Sequence, residues 1–122
     1  MASSVNAQST LALQEKCAEG AKKFFYDRGF KFVEKGDNDT KINNYQSHYN
    51  KKLDKCFILI ISLSYGKRRG PFHYEGLCDA FEGTIYGEIS GLEGGPITGT
   101  VMGKLCRSQD EFEALIKPYM EE

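Results

Sequence analysis

The chain has 122 residues, 40% of them hydrophobic and 27% charged. That balance suits one globular domain with a modest core and excludes an intrinsically disordered chain. Basic and acidic side chains number 16 and 17, for a formal net charge of −1, so no whole-chain field draws it to nucleic acid or to an anionic membrane surface. No apolar run approaches the roughly 18–20 residues needed to cross a bilayer, and no membrane insertion is expected.

Residues 1–9, MASSVNAQS, are small and polar and are expected to form a flexible tail ahead of a single domain over 10–122. Residues 1–16 lack the basic and unbroken apolar regions of an uncleaved signal peptide, and the first nine read as the start of a mature chain whose signal has been removed. From Thr10 to Arg28 the pattern is helical: Leu13, Cys17, Ala21, Phe24 and Phe25 make one apolar stripe at three- and four-residue steps. Thr10 is the expected N-cap and Gly29 the left-handed residue that ends the helix. Gly20 in its middle costs up to about 1 kcal/mol relative to alanine.

Lys31 to Lys41 holds the cluster Gly36-Asp37-Asn38-Asp39 and is read as a loop. A β-hairpin follows. Its first strand, Ile42 to Tyr49, is polar and aromatic, its turn falls at Asn50 to Asp54, and its second strand is Cys56-Phe57-Ile58-Leu59-Ile60-Ile61. That second strand is apolar at both parities, as suits a central strand covered on both faces. Lys67-Arg68-Arg69 forms a basic loop bounded by Gly66, Gly70 and Pro71. A second hairpin is expected over Leu77 to Ser90 across a Gly83-Thr84 turn, then an edge strand from Thr98 to Cys106 weakened by its glycines. Ser108-Gln109-Asp110-Glu111 is a capping box opening a C-terminal helix with Phe112, Leu115, Ile116 and Tyr119 inward. Pro118 should bend or end its last turn. The fold class is therefore α+β: an antiparallel sheet of about four to five strands from consecutive hairpins, with an N-terminal and a C-terminal helix packed on it, both able to cover one face.

Few residues point to chemistry. Gly99 to Lys104 has three residues between its glycines and Leu105 after the lysine, whereas a phosphate loop needs four and a Ser or Thr, so no cofactor is expected. His48 and His73 are the two histidines. Tyr45, His48 and Tyr49 are the candidate binding residues, on the polar strand of the central hairpin. Strand alternation sets Tyr45 and Tyr49 on one face and His48 on the other, which makes a structural histidine the ordinary reading. His73, beside a loop with Cys78 five residues on, does not make a metal site. No catalytic residues and no metal ligands are assigned. Lys67-Arg68-Arg69 has no aromatic stacking partner, and no nucleic-acid partner is expected.

Four cysteines with no tryptophan is a count usual for an exported domain. None forms a C-x-x-C pair, and four cysteines allow three pairings. Cys17 lies on the inward stripe of the first helix and Cys56 opens the most apolar strand, so a Cys17–Cys56 disulfide is expected, with two buried thiols as the competing picture. The pairing of Cys78 and Cys106 is left open.

Ser47-His48-Tyr49-Asn50-Lys51-Lys52-Leu53-Asp54-Lys55-Cys56-Phe57, Leu77-Cys78-Asp79-Ala80-Phe81-Glu82-Gly83 and Cys106-Arg107-Ser108-Gln109-Asp110-Glu111-Phe112, together with Cys17, resemble blocks of small exported bacterial proteins of unknown function. The likeness spans most of Cys17 to Met120. Cys78 departs from it, since those proteins more often carry an aromatic residue there, and a second cysteine near Thr98 or Thr100 is missing. The resemblance implies export to the bacterial periplasm or cell envelope and a shared scaffold, not an activity. The functional expectation is a non-enzymatic module that binds a protein or a small ligand. A small enzyme using His48 or a free cysteine is the alternative.

Overall fold

The computed structural model describes residues 2–66 and 70–122, with side chains from residue 10 onward; the basic loop Lys67-Arg68-Arg69 lies outside the described residues. The elements in order are α1 (Ala2–Asp27), β1 (Val33–Lys35), β2 (Asp39–Asn50), β3 (Lys55–Gly66), β4 (Phe72–Asp79), β5 (Ile85–Leu92), β6 (Ile97–Val101), β7 (Lys104–Cys106) and α2 (Gln109–Glu121). The strands form one sheet of seven in the order β1-β2-β3-β4-β5-β6-β7, and every neighbouring pair is antiparallel. The α+β class holds, but the strand number is seven rather than four to five.

Two turns account for the difference. Gly36-Asp37-Asn38 folds β1 back onto β2, pairing Val33 with Ile42, inside a stretch too polar and too short to read as a strand. Between β6 and β7, Met102 and Gly103 both have positive φ, 49° and 82°, as a two-residue type I′ turn requires. The single edge strand expected there is a hairpin. The β4–β5 connection is also longer than a Gly83-Thr84 turn. The buried Asp79 carboxylate accepts from the backbone N–H groups of Phe81 and Glu82 at 2.8 and 2.9 Å and orders the loop between the strands.

β3 is the centre of the sheet, and its alternation builds two cores. Cys56, Ile58 and Ile60 face α1 and pack with Cys17, Ala21 and Phe25. Phe57 and Leu59 point the other way and pack with Leu77, Ile89, Val101, Phe112 and Ile116 under α2. The helices therefore lie on opposite faces, correcting the arrangement with both on one face. A strand apolar at both parities is what a three-layer stack demands, because each face buries its own helix.

The helix ends are fixed by identifiable bonds. α1 begins at Ala2, ahead of the expected Thr10 cap and within the stretch expected to be a tail. At its other end, Gly29 has φ 85°, Gly29 N–H bonds to Tyr26 C=O at 3.0 Å, and Phe30 N–H reaches Phe25 C=O at 3.1 Å. This is a Schellman motif, with the Phe30 ring stacked on Phe25 as its apolar contact. The mid-helix Gly20 has a packing reason: an added Cβ would lie 2.6 Å from the Phe81 ring. In α2, Ser108 Oγ accepts from Glu111 N–H at 3.1 Å, while Glu111 reaches back to Arg107 N–H at 3.2 Å, one residue before the cap.

Helix α2 continues past Pro118 to Glu121. The amide nitrogen of the fully buried Asn50 donates to the carbonyls of Pro118 and Tyr119 at 2.9 and 3.1 Å, which have no partner inside the helix. Asn50 Oδ1 meanwhile accepts from Leu53 N–H at 2.9 Å. One side chain thus closes the β2–β3 turn and the end of α2 together. Asn50→Ala strands buried polar groups on both sides and should cost about 1–3 kcal/mol, read as a lowered urea midpoint. An unchanged midpoint would mean that α2 is not anchored there.

Candidate functional site

Helix α2 covers its face of the sheet incompletely. Beside it lies an open groove of ≈ 960 Å³, walled by α2 and floored by β2, β3, β4 and β6. Period-two alternation places His73, Glu75 and Leu77 of β4 on this face, next to Leu59 and Ile61 of β3.

Glu75 pairs across the sheet with Ile61 and Ile89 and is 5% exposed. A carboxylate so placed costs several kcal/mol unless donors surround it. Two are present on one oxygen: His73 Nε2 at 2.6 Å and the Gln109 side-chain amide. Against an ionised carboxylate, which only accepts, the ring nitrogen is the donor. Gln109 Nε2 also donates to Glu113 Oε1 at 3.2 Å, so both of its hydrogens face carboxylates and the amide orientation is settled. Gln109 Oε1 is left buried and unpartnered, its lone pairs adding negative potential to the wall.

The groove's other carboxylates are Glu93, Asp110, Glu113 and Glu121, against a single lysine, Lys117, itself 3.7 Å from Glu121. The apolar lining is Leu59, Ile61, Ile97, Ile116 and Met120, with Ala114 on the helix. The site is thus an acidic trough with an aliphatic floor. It can hold donors and cations, and its imidazole–carboxylate pair can orient a proton.

The residues expected to bind do not converge. Tyr45 faces α1, its ring 4.8 Å from Phe25. Tyr49 is on that face too, and its hydroxyl donates to Asp54; this bond, with burial and the Asp54 charge, pushes the phenol pKa up. His48 points to the α2 face with a buried, unpartnered Nε2. Strand geometry forbids the trio from acting as one site, and the groove uses none of them. His73, passed over as a residue beside a loop, lies within β4 and belongs to the groove instead. The signal available was the pair His73-x-Glu75, at the same parity in a strand. Gln109 is 34 residues from Glu75 and only the fold joins them.

Cys17 and Cys56 form a disulfide with Cα atoms 5.3 Å apart. Cys78 and Cys106 are free and buried, and they cannot pair, because Cys78 lies in the α1 core and Cys106 in the α2 core with the sheet between. Burial pushes both thiols up in pKa. It also raises Tyr74, with further help from its hydrogen bond to Glu88.

A pH dependence follows from these shifts. The unfolded chain gives up its thiol and phenol protons before the folded one does, so the stability they contribute is complete below about pH 9 and is lost above it. Urea midpoints should be flat from pH 7 to 8.5 and fall by pH 10.5. A midpoint that holds at pH 10.5 would mean these groups are not shielded.

Among the described residues no helix is long and apolar enough to cross a membrane. Compared with known families, curated proteins and solved structures, the chain matches none.

Proposed function

We propose that this protein is an exported binding module without catalysis of its own, and that its ligand occupies the groove beside α2. The observation that carries this reading is the open trough itself, where a partly buried His73–Glu75–Gln109 network stiffens the floor while Glu93, Asp110 and Glu113 stand exposed at the rim with no lysine or arginine beside them among the described residues. A concave, partly apolar lining that carries fixed polar groups is the usual form of a ligand site. Export draws support from the Cys17–Cys56 disulfide, a bond that persists in oxidising compartments, and from the resemblance to small exported bacterial proteins.

A small enzyme is the second reading, and the His73–Glu75 pair favours it, because a carboxylate-oriented imidazole is how general bases are held. Its version through a free cysteine has less support, since both thiols are buried and their thiolates disfavoured. His48 lies outside the groove lining.

An amide-resolved NMR titration against a library of short peptides and fragments tests the site. Binders should shift Gln46, His73, Glu75 and the first turns of α2 while remaining chemically intact. Shifts confined to the α1 face, or a binder converted to product, would overturn the reading.

A further inference from the structure

Building on the groove just proposed as the binding site, we infer that its occupant is an extended segment of a partner protein carrying lysine or arginine among apolar residues. Charge sets the sign. Glu93, Asp110 and Glu113 are exposed at the rim, and among the described residues none of them has a lysine or arginine within 4 Å. The lysine that lines the trough is already paired with a carboxylate of its own helix. An anionic ligand would meet like charge at the rim, whereas a cation relieves it.

The floor sets the shape. Ile61, Ile97 and Met120 are packed on the α2 core yet only partly buried, so they offer aliphatic surface within reach of the carboxylates. Lysine and arginine match this pairing, with a hydrocarbon stem to lie on the floor and a charged head to reach the rim. At ≈ 960 Å³ the trough exceeds what one side chain fills and lies at the upper end for a drug-sized ligand. A run of several residues fits, with alternate side chains down on the floor and up at the rim.

The test uses the full chain and a fluorescein-labelled nine-residue peptide of alternating lysine and leucine, read by fluorescence anisotropy. The lysine peptide should bind, and its affinity should fall about tenfold from 50 to 500 mM salt, since rim charges are screened. Asp110→Asn/Glu113→Gln should weaken it about tenfold. Glu15→Gln/Glu19→Gln, on exposed positions of α1, should leave it unchanged, with circular dichroism showing that both variants fold. Equal loss in the α1 variant would overturn the proposal by revealing a non-specific charge effect. Displacement by spermidine as effective as by the unlabelled peptide would overturn it in favour of a small polycation. A glutamate–leucine peptide that binds as well, with shifts at the groove, would refute the cation while leaving the groove standing. If no peptide or fragment shifts the groove amides, both fail.

Discussion

Phe112→Ala is expected to lower stability by about 3–5 kcal/mol, the range for deleting a fully buried phenylalanine. Its side chain is completely enclosed and sits in the α2 core with Phe57, Leu59 and Ile89. The surroundings cannot close over the hole, because most of its neighbours belong to the rigid sheet and are held by strand pairing. Leu115 on the same helix is only partly buried, so Leu115→Ala should cost clearly less. Urea denaturation of the two variants beside the parent checks the ranking. A smaller loss for Phe112→Ala than for Leu115→Ala would mean that α2 docks through a different stripe, and the groove beside it would then be misplaced.

Replacing both disulfide cysteines, as Cys17→Ala/Cys56→Ala, is expected to cost about 4 kcal/mol by the chain-entropy account for a loop of this length. The bond joins residues 39 apart and fastens α1 to the central strand inside the core they share. Its loss should free α1 more than the meander, whose strands pair in sequence without it. A fall in midpoint with little change in the β-sheet circular dichroism of the folded state is the expected pattern. Thiol titration of the parent in guanidinium should find two reactive groups, Cys78 and Cys106. Four would contradict the bond.

The sequence was informative where local chemistry decides structure. The Ser108 N-cap, the Gly29 stop signal and the central hairpin are each written in neighbouring residues, and the pairing of Cys17 with Cys56, 39 residues apart, followed from the inward phase of a helix stripe and the apolar run of one strand. The two-sided apolar run of β3 also carried the three-layer stack, though placing both helices on one face missed its consequence. What escaped reading depended on exceptions. Met102 takes a left-handed turn position that asparagine or glycine ordinarily fills. β1 has three residues, Val33 to Lys35, and is a strand only because β2 lies alongside, with Asn43 tying in the preceding segment through Lys31 C=O at 2.7 Å.

The groove was least legible of all. Its floor comes from strands far apart in the chain and its wall from the last helix, so no window of sequence contains it. The attention given to Tyr45, His48 and Tyr49 followed their residue types, while alternation had already separated them. Glu75 stands between Tyr74 and Gly76 in the sequence, and its apolar neighbours Ile61 and Ile89 are brought to it only by strand pairing. A buried carboxylate in a strand needs donors, and these are His73, two residues away on the same strand, and Gln109, brought by α2.

A crystal structure of the protein grown with the lysine–leucine peptide tests the binding claim most directly. The account predicts the peptide lying along the trough over Ile61 and Ile97, with a lysine ammonium between Asp110 and Glu113. A peptide bound on the α1 face or along the β1 edge, with the trough empty, would contradict it.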